Sequence, residues 1–302
     1  MAKKNKSFLK TNISPILICL ILILVFLILI LFFELKIFTS NINLNILKPQ
    51  AKQTTQTNLT IIPTPKPTEK IYAPQISGNQ IRVPILMYHY IGNNPNPTDK
   101  QRDYLSVTPD KFEEQMKYLK ENGYNTISLD TLYPAIRGQI TLPAKSIILT
   151  FDDGYMDFYT NAYPILLKYG LHATVFIPTN LMNQGYYLSW NQIREMSGSG
   201  LINFGAHGVN HYHLTSVSPQ TAESEIIQSK KILQDNLGIP INFIAYPFGA
   251  VNENIIKITK NAGYMGALGT WANKTQSEGT IFNMPRLKVG GGADLQTFID
   301  LL

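Results

Sequence analysis

The sequence predicts an α/β domain built on a parallel sheet and closed into a barrel, carried behind an apolar N-terminal segment. From Val83 onward, short apolar runs alternate with amphipathic segments, the pattern of strand–helix repeats whose strands are covered on both faces. The repeats are short, which favours a closed barrel over an open doubly wound sheet. Before Val83 the pattern is absent: 23 uncharged residues from Thr11 to Phe33 lead into a stretch rich in Asn, Thr, Gln and Pro.

Taken in order, residues 1–10 hold Lys3, Lys4, Lys6 and Lys10, and the positive-inside rule predicts a cytoplasmic tail. Residues 11–33 are long and apolar enough for one transmembrane helix. They end Leu31-Phe32-Phe33-Glu34, without the small residues of a signal-peptide cleavage site, so the expected product is a single-pass protein of the cell membrane with its domain outside. Residues 34–81 read as a disordered linker, stiffest at Ile62-Pro63-Thr64-Pro65-Lys66-Pro67, with a root-mean-square span of about 35 Å. The domain is expected over 82–302. Its strands are predicted at Val83–Tyr88, Ser146–Phe151, Ala173–Pro178, Leu201–Ala206, Asn242–Tyr246 and Met265–Gly269, from runs of apolar and β-branched residues. One helix should open at Thr108-Pro109-Asp110 and stop near Gly123, with Phe112, Met116 and Leu119 on one face. Others are predicted from about Asp157 to Tyr169, Trp190 to Ser197, Pro219 to Leu237 and Asn252 to Ala262, several stopping at a glycine.

Composition excludes several functions. The formal charge is +6, but residues 1–81 hold nine Lys and two acids, while residues 82–302 balance 17 Lys and Arg against 18 acids. A nucleic-acid footprint needs basic residues clustered on the folded domain, so no nucleic-acid partner is expected. The one cysteine, Cys19, lies in the apolar run, which leaves no disulfide framework, thiolate metal site or cysteine nucleophile. Neither a Gly-x-Ser-x-Gly elbow nor a phosphate loop is present, no internal repeat is detectable, and nothing indicates an oligomer.

Two motifs carry chemistry. Ile147-Ile148-Leu149-Thr150-Phe151-Asp152-Asp153-Gly154 sends an apolar strand into a turn with two adjacent carboxylates, at the strand end where parallel α/β folds place active sites. Taken alone, the pair also suits a helix cap beside a solvated aspartate. His207-Gly208-Val209-Asn210-His211 follows the next apolar run but one; histidines four apart share one side of a helical turn and can hold one metal ion. Two such histidines are also common as surface or core residues, and His213 reads as structural. Together, two His and one Asp form the open three-ligand set of catalytic metal sites, with the other aspartate free as a base.

Thr-Phe-Asp-Asp-Gly with His-Gly-x-x-His resembles the polysaccharide deacetylases with a NodB-homology domain, carbohydrate esterase family four, over about Val83 to Arg286. The resemblance implies a distorted (β/α)7 barrel, Asp152 as general base, and Asp153, His207 and His211 as ligands to one divalent ion, zinc first and cobalt, nickel or iron as alternatives. The family's Arg-x-Pro-Tyr stretch corresponds to Ala245-Tyr246-Pro247-Phe248-Gly249, which leaves the Phe248 backbone N–H to hold the oxyanion and Arg286 as a substitute for the missing arginine. Ala267 stands where the family's next acid would be, four residues before Trp271. The family's late histidine is absent, while His89 ends the first strand. This is similar to the poly-N-acetylglucosamine deacetylase branch, with a circularly permuted barrel and His89 as general acid. Trp190, Tyr187, Tyr246 and Trp271 are candidate substrate contacts, since apolar sugar faces stack on aromatic rings. The resemblance therefore implies an N-acetylated polysaccharide as partner and substrate. The competing reading is a tethered sugar-binding protein without turnover, motivated by the missing Arg and Asp.

Overall fold

The computed structural model describes residues 75–302; the expected cytoplasmic tail, transmembrane helix and most of the linker lie outside the described residues. Among the described residues, no helix is long and apolar enough to cross a membrane.

Seven strands in a row make a curled parallel sheet, β1 (Ile85–Tyr88), β2 (Ser146–Phe151), β3 (Ala173–Ile177), β4 (Ile202–Ala206), β5 (Phe243–Ala245), β6 (Gly266–Leu268) and β7 (Leu287–Lys288), and an eighth, Asn125–Thr126, pairs with β2 off that row. Their spatial order is β6-β5-β4-β3-β2-β1-β7, so the last strand lies beside the first, with Leu287 opposite Leu86. The segment entering β7 bridges back to β6: Met284 pairs with Leu268, its N–H donates to Ala267 O at 2.8 Å, and its carbonyl accepts from Gly269 N at 2.9 Å. Residues 284–288 thus close the ring into a barrel.

Alternation along the strands separates two cores. Ile85, Ile148, Phe176, Phe243, Ala245 and Leu268 meet inside the ring. Leu86, Leu149, Val175, Phe204, Ile244 and Ala267 face outward, against Phe112, Met116, Ile193, Ile226 and Ile255 of the helices. Phe176 fits inside because residue 205 has no side chain: a Cβ on Gly205 would meet the Phe176 ring at 2.4 Å and Phe243 O at 3.0 Å. The same parity aims the strand ends. His89 follows Ile85 and Met87 in step, Asp152 follows Ile148 and Thr150, and His207 follows Gly205, so all three emerge on the inner side at the barrel mouth.

The helices are α1 (Lys100–Leu105), α2 (Pro109–Glu121), α3 (Leu129–Ile136), α4 (Tyr163–Tyr169), α5 (Trp190–Gly198), α6 (Pro219–Leu237), α7 (Glu253–Asn261) and α8 (Leu295–Leu301). Caps explain several starts: the Thr108, Ser218 and Asn252 side chains accept from Lys111, Thr221 and Ile255 N–H, each satisfying an orphan donor of the first turn. Several elements differ from expectation. The helix expected from Asp157 is a π turn over Phe158–Ala162 that passes into α4, because Pro164 has no N–H with which to continue the regular ladder. The fold begins at Gln80–Arg82, which pairs antiparallel with Thr275–Ser277, within the stretch expected as linker. α1, α3, β7 and α8 were not expected; each is eight residues or shorter, too short to show a sustained hydrophobic period.

Candidate active site

The two adjacent aspartates are separated by their backbone. Asp153 has φ 75° and Gly154 φ 65°, and this left-handed pair turns the chain sharply so that neighbouring carboxylates face different partners. Aspartate tolerates that region better than most residues.

Asp152 is clamped by an arginine. Arg286, 0% exposed, donates from Nη1 to Oδ1 at 2.7 Å and from Nη2 to Oδ2 at 2.8 Å, the planar two-point pairing that a guanidinium offers a carboxylate. The fork is itself fixed: Nε donates to Gly269 O at 2.8 Å, and Nη1 also reaches Thr150 Oγ1 at 3.2 Å. Burial alone would raise the Asp152 carboxyl, but the Arg286 guanidinium, with His207 and His89, more than offsets it and holds the group below its ordinary value. Asp152 is therefore ionised at neutral pH, with lone pairs to spare for a proton.

Asp153 faces two imidazoles. Its Oδ1 lies 3.3 Å from His207 Nε2 and 3.0 Å from His211 Nε2, yet that oxygen has no hydrogen-bond partner. His207 Nδ1 lies 2.7 Å from Ala245 O, and a carbonyl can only accept, so the ring proton sits on Nδ1 and Nε2 presents a lone pair. Lone pairs converging on one point are what a cation resolves, and ligand atoms around a tetrahedral zinc stand roughly 3.3 Å apart. All three atoms lie within 4.8 Å of one another. The donor set fits one divalent ion.

The histidines do not sit on a helical turn, as their spacing suggested. Residues 207–213 form a loop between β4 and a short 3-10 turn at Leu214–Ser216, with Gly208 at φ 75° and His211 at φ 59°. Positive φ at both positions is incompatible with a right-handed helix, and it turns the two rings toward each other, with centroids 4.9 Å apart.

A cavity of about 520 Å³ opens over these groups, lined among others by His89, Tyr90, Tyr155, Phe248 and Lys288. His89 leaves β1 beside Asp152, whose N–H donates to Tyr88 O at 3.0 Å. Burial pushes its imidazole below the ordinary value, against the opposing pull of Asp152 and Asp153. Phe248, 59% exposed, holds φ 60° and ψ 5°, a costly conformation for a large side chain that is characteristic of functional sites. Its ring packs on His211 at 4.6 Å.

The aromatic expectations need correction. Tyr246 is 0% exposed, with its hydroxyl donating to Phe282 O at 3.0 Å; it is core and out of reach of substrate. Its parity explains this, because Tyr246 continues Ile244 toward the helices. Trp271 donates from Nε1 to Asn283 O at 2.8 Å, and its carbonyl accepts from Arg286 N at 3.0 Å, so it braces the closing segment outside the cavity. Trp190 packs half-buried against the outer core. The cavity is lined by Tyr90, stacked on Tyr155 at 3.8 Å, and Tyr187, one of the expected contacts, stacks on Tyr155 at 5.3 Å. Lys288 and Arg102 also line the cavity; neither lies in a motif, and only the long-range pairing of the strands brings them there.

A paired base and a three-ligand metal cradle at the strand ends of an α/β barrel define a class of hydrolases, and comparison with known proteins agrees. The profile of the polysaccharide deacetylase family matches residues 139–267, a span holding both aspartates and both histidines but neither His89 nor Arg286. The chain is 31% identical over 217 residues to YxkH of Bacillus subtilis, a predicted polysaccharide deacetylase, covering 72% of this chain and 75% of that one. It is 28% identical over 210 residues to the poly-beta-1,6-N-acetyl-D-glucosamine N-deacetylase of Staphylococcus aureus, covering 65% and 72%. The deacetylase PplD of Streptococcus pyogenes, solved in complex with acetate, superposes with a TM-score of 0.69 at 30% identity, covering 74% of this chain and 99% of that one. The chain belongs to the polysaccharide deacetylase family, hydrolases that act on carbon–nitrogen bonds.

Proposed function

We propose that this protein removes N-acetyl groups from an N-acetylglucosamine-containing polysaccharide of the poly-N-acetylglucosamine type, at the outer face of the cell membrane and with one bound zinc ion. The observation that carries the reading is the division of labour in the aspartate pair: Asp152 is held by Arg286 alone and Asp153 by the histidines alone. The Staphylococcus aureus relative supports the substrate class, and the apolar run 11–33 supports a membrane tether.

The ion, held by Asp153, His207 and His211, would polarise the acetyl carbonyl and acidify a water. Asp152 accepts the proton of the attacking water, as its ionised, oriented carboxylate allows. The Phe248 N–H donates to the oxygen that gains charge. His89 protonates the nitrogen as the C–N bond breaks, because an amine is a poor leaving group without that proton. A C–O bond replaces the C–N bond, giving acetate and a free amino sugar. The sugar-binding alternative was motivated by the missing family arginine and aspartate; the Arg286–Asp152 pair supplies an arginine, while Ala267 keeps the place of the acid.

Acetate release from poly-N-acetylglucosamine, peptidoglycan and chitin oligomers tests the activity; zinc-loaded, folded protein that releases none from any of them would overturn the proposal. For His89 as acid, His89→Ala should lower kcat by about 10²–10⁴-fold with zinc content unchanged. The high-pH limb of the rate profile should vanish as well. That limb reports loss of the acid's proton as pH rises, and burial places it below the usual imidazole value of about 6.5. Near-normal turnover with an unaltered profile would remove His89 from the mechanism.

A further inference from the structure

Glu225 lies within α6, on the face turned to the barrel, and is 3% exposed, whereas Glu223 of the same helix is exposed. Its carboxylate grips the middle of the histidine loop: Oε2 accepts from Val209 N at 2.7 Å and Asn210 N at 2.8 Å, and Oε1 accepts from Asn210 Nδ2 at 2.6 Å. The opposite side of the loop is strapped by Thr179 N to Gly208 O at 3.1 Å and Asn180 N to Val209 O at 2.9 Å. Gly208 is required in between, since a Cβ there would stand 3.0 Å from Glu225 Oε2. His207 has its own anchor in Ala245 O. The left-handed turn at His211 follows directly from the gripped residues, so the position of that ring depends on them.

We propose that Glu225 is a positioning residue for the metal centre: from outside the ligand set, it holds the loop in the one shape that brings His211 to Asp153 and His207. This rests on the metal reading given above. A carboxylate suits the task because all three groups facing it are donors and an ionised carboxylate only accepts. Glutamine would set an NH₂ against an N–H and lose at least one of the three bonds. Groups that orient metal ligands in this way typically change metal affinity by about 10–100-fold when replaced.

The test is competitive zinc titration of the full chain against a chromophoric chelator, for Glu225→Gln, Asn210→Ala and the exposed control Glu223→Gln. Glu225→Gln should weaken zinc binding by about 10–100-fold, with kcat recovering toward the wild-type value when zinc is saturating. Asn210→Ala, which leaves both backbone contacts in place, should weaken it by less, and Glu223→Gln should not change it. Because the effect is transmitted through His211, adding Glu225→Gln to His211→Ala should cause no further loss of affinity, an outcome that general loosening of the fold would not give. If Glu225→Gln does not fold, Asn210→Ala and its double variant with His211→Ala decide the matter in the same way. Wild-type affinity in the folded single variants, or losses that add in the double variant, would overturn the inference alone. A wild-type chain that binds no zinc would overturn the metal reading and this inference with it.

Discussion

Replacing Arg286 with methionine should destabilise the domain by about 3–5 kcal/mol at neutral pH, the usual cost of removing one partner of a buried ion pair. The loss is large because Asp152, itself buried, would be left ionised without the guanidinium that pairs with both of its oxygens. The pH dependence has a definite sign. In the native protein the Asp152 carboxyl is held below its unfolded value, so its contribution is present above that unfolded value and is lost as pH falls through the lower, folded one. In the variant burial, which raises the folded pKa, is opposed only by His207 and His89, so the penalty is relieved as pH falls. The stability gap measured by urea unfolding should therefore narrow from pH 7 to pH 4, and Asp152→Asn added to Arg286→Met should recover much of the loss. A gap under about 1 kcal/mol at pH 7 would mean that the pair contributes no more than a surface ion pair does.

The second large effect separates base from ligand. His207→Ala removes one of three ligand atoms and should abolish both zinc binding and acetate release. Asp152→Asn keeps all three ligands and should retain zinc while turnover falls by about 10²–10⁴-fold. Metal analysis of the two purified variants beside their rates gives the answer. Equal zinc loss in both would show that the two aspartates exchange roles.

The strands and the principal helices were legible because burial on both faces writes apolar runs, and caps such as Thr108-Pro109 and Ser218-Pro219 punctuate them. The grouping of Asp153, His207 and His211 was legible because Asp153 and His207 follow such runs directly. Other features needed the fold. A spacing of four cannot distinguish a helical turn from a loop, and only the backbone at Gly208 and His211 decides between them. Arg286 could be named from the sequence only through the family's missing arginine, since its partner lies 134 residues away and nothing local marks it as buried. Tyr246, Trp190 and Trp271 show that an aromatic near a motif carries no sign of which face it takes; strand parity settles Tyr246, and tertiary packing settles the others. Glu225 was invisible for a related reason, because an acid on an amphipathic helix reads as solvent-facing unless the loop packed above it is known.

The closure of the ring through residues 284–288 also governs the order of events in time. β1 is made first and must wait for β7, the last ring strand, before its second edge is paired, so the final contacts join segments near opposite ends of the domain. Such late, long-range pairings carry the largest loop-closure cost and slow folding. Arg286 travels with that last segment. The two-point partner of the Asp152 carboxylate therefore comes from the segment that closes the ring. A chain trimmed before Arg286 would lose the two-point partner of Asp152 in the same stroke as the closure of the ring.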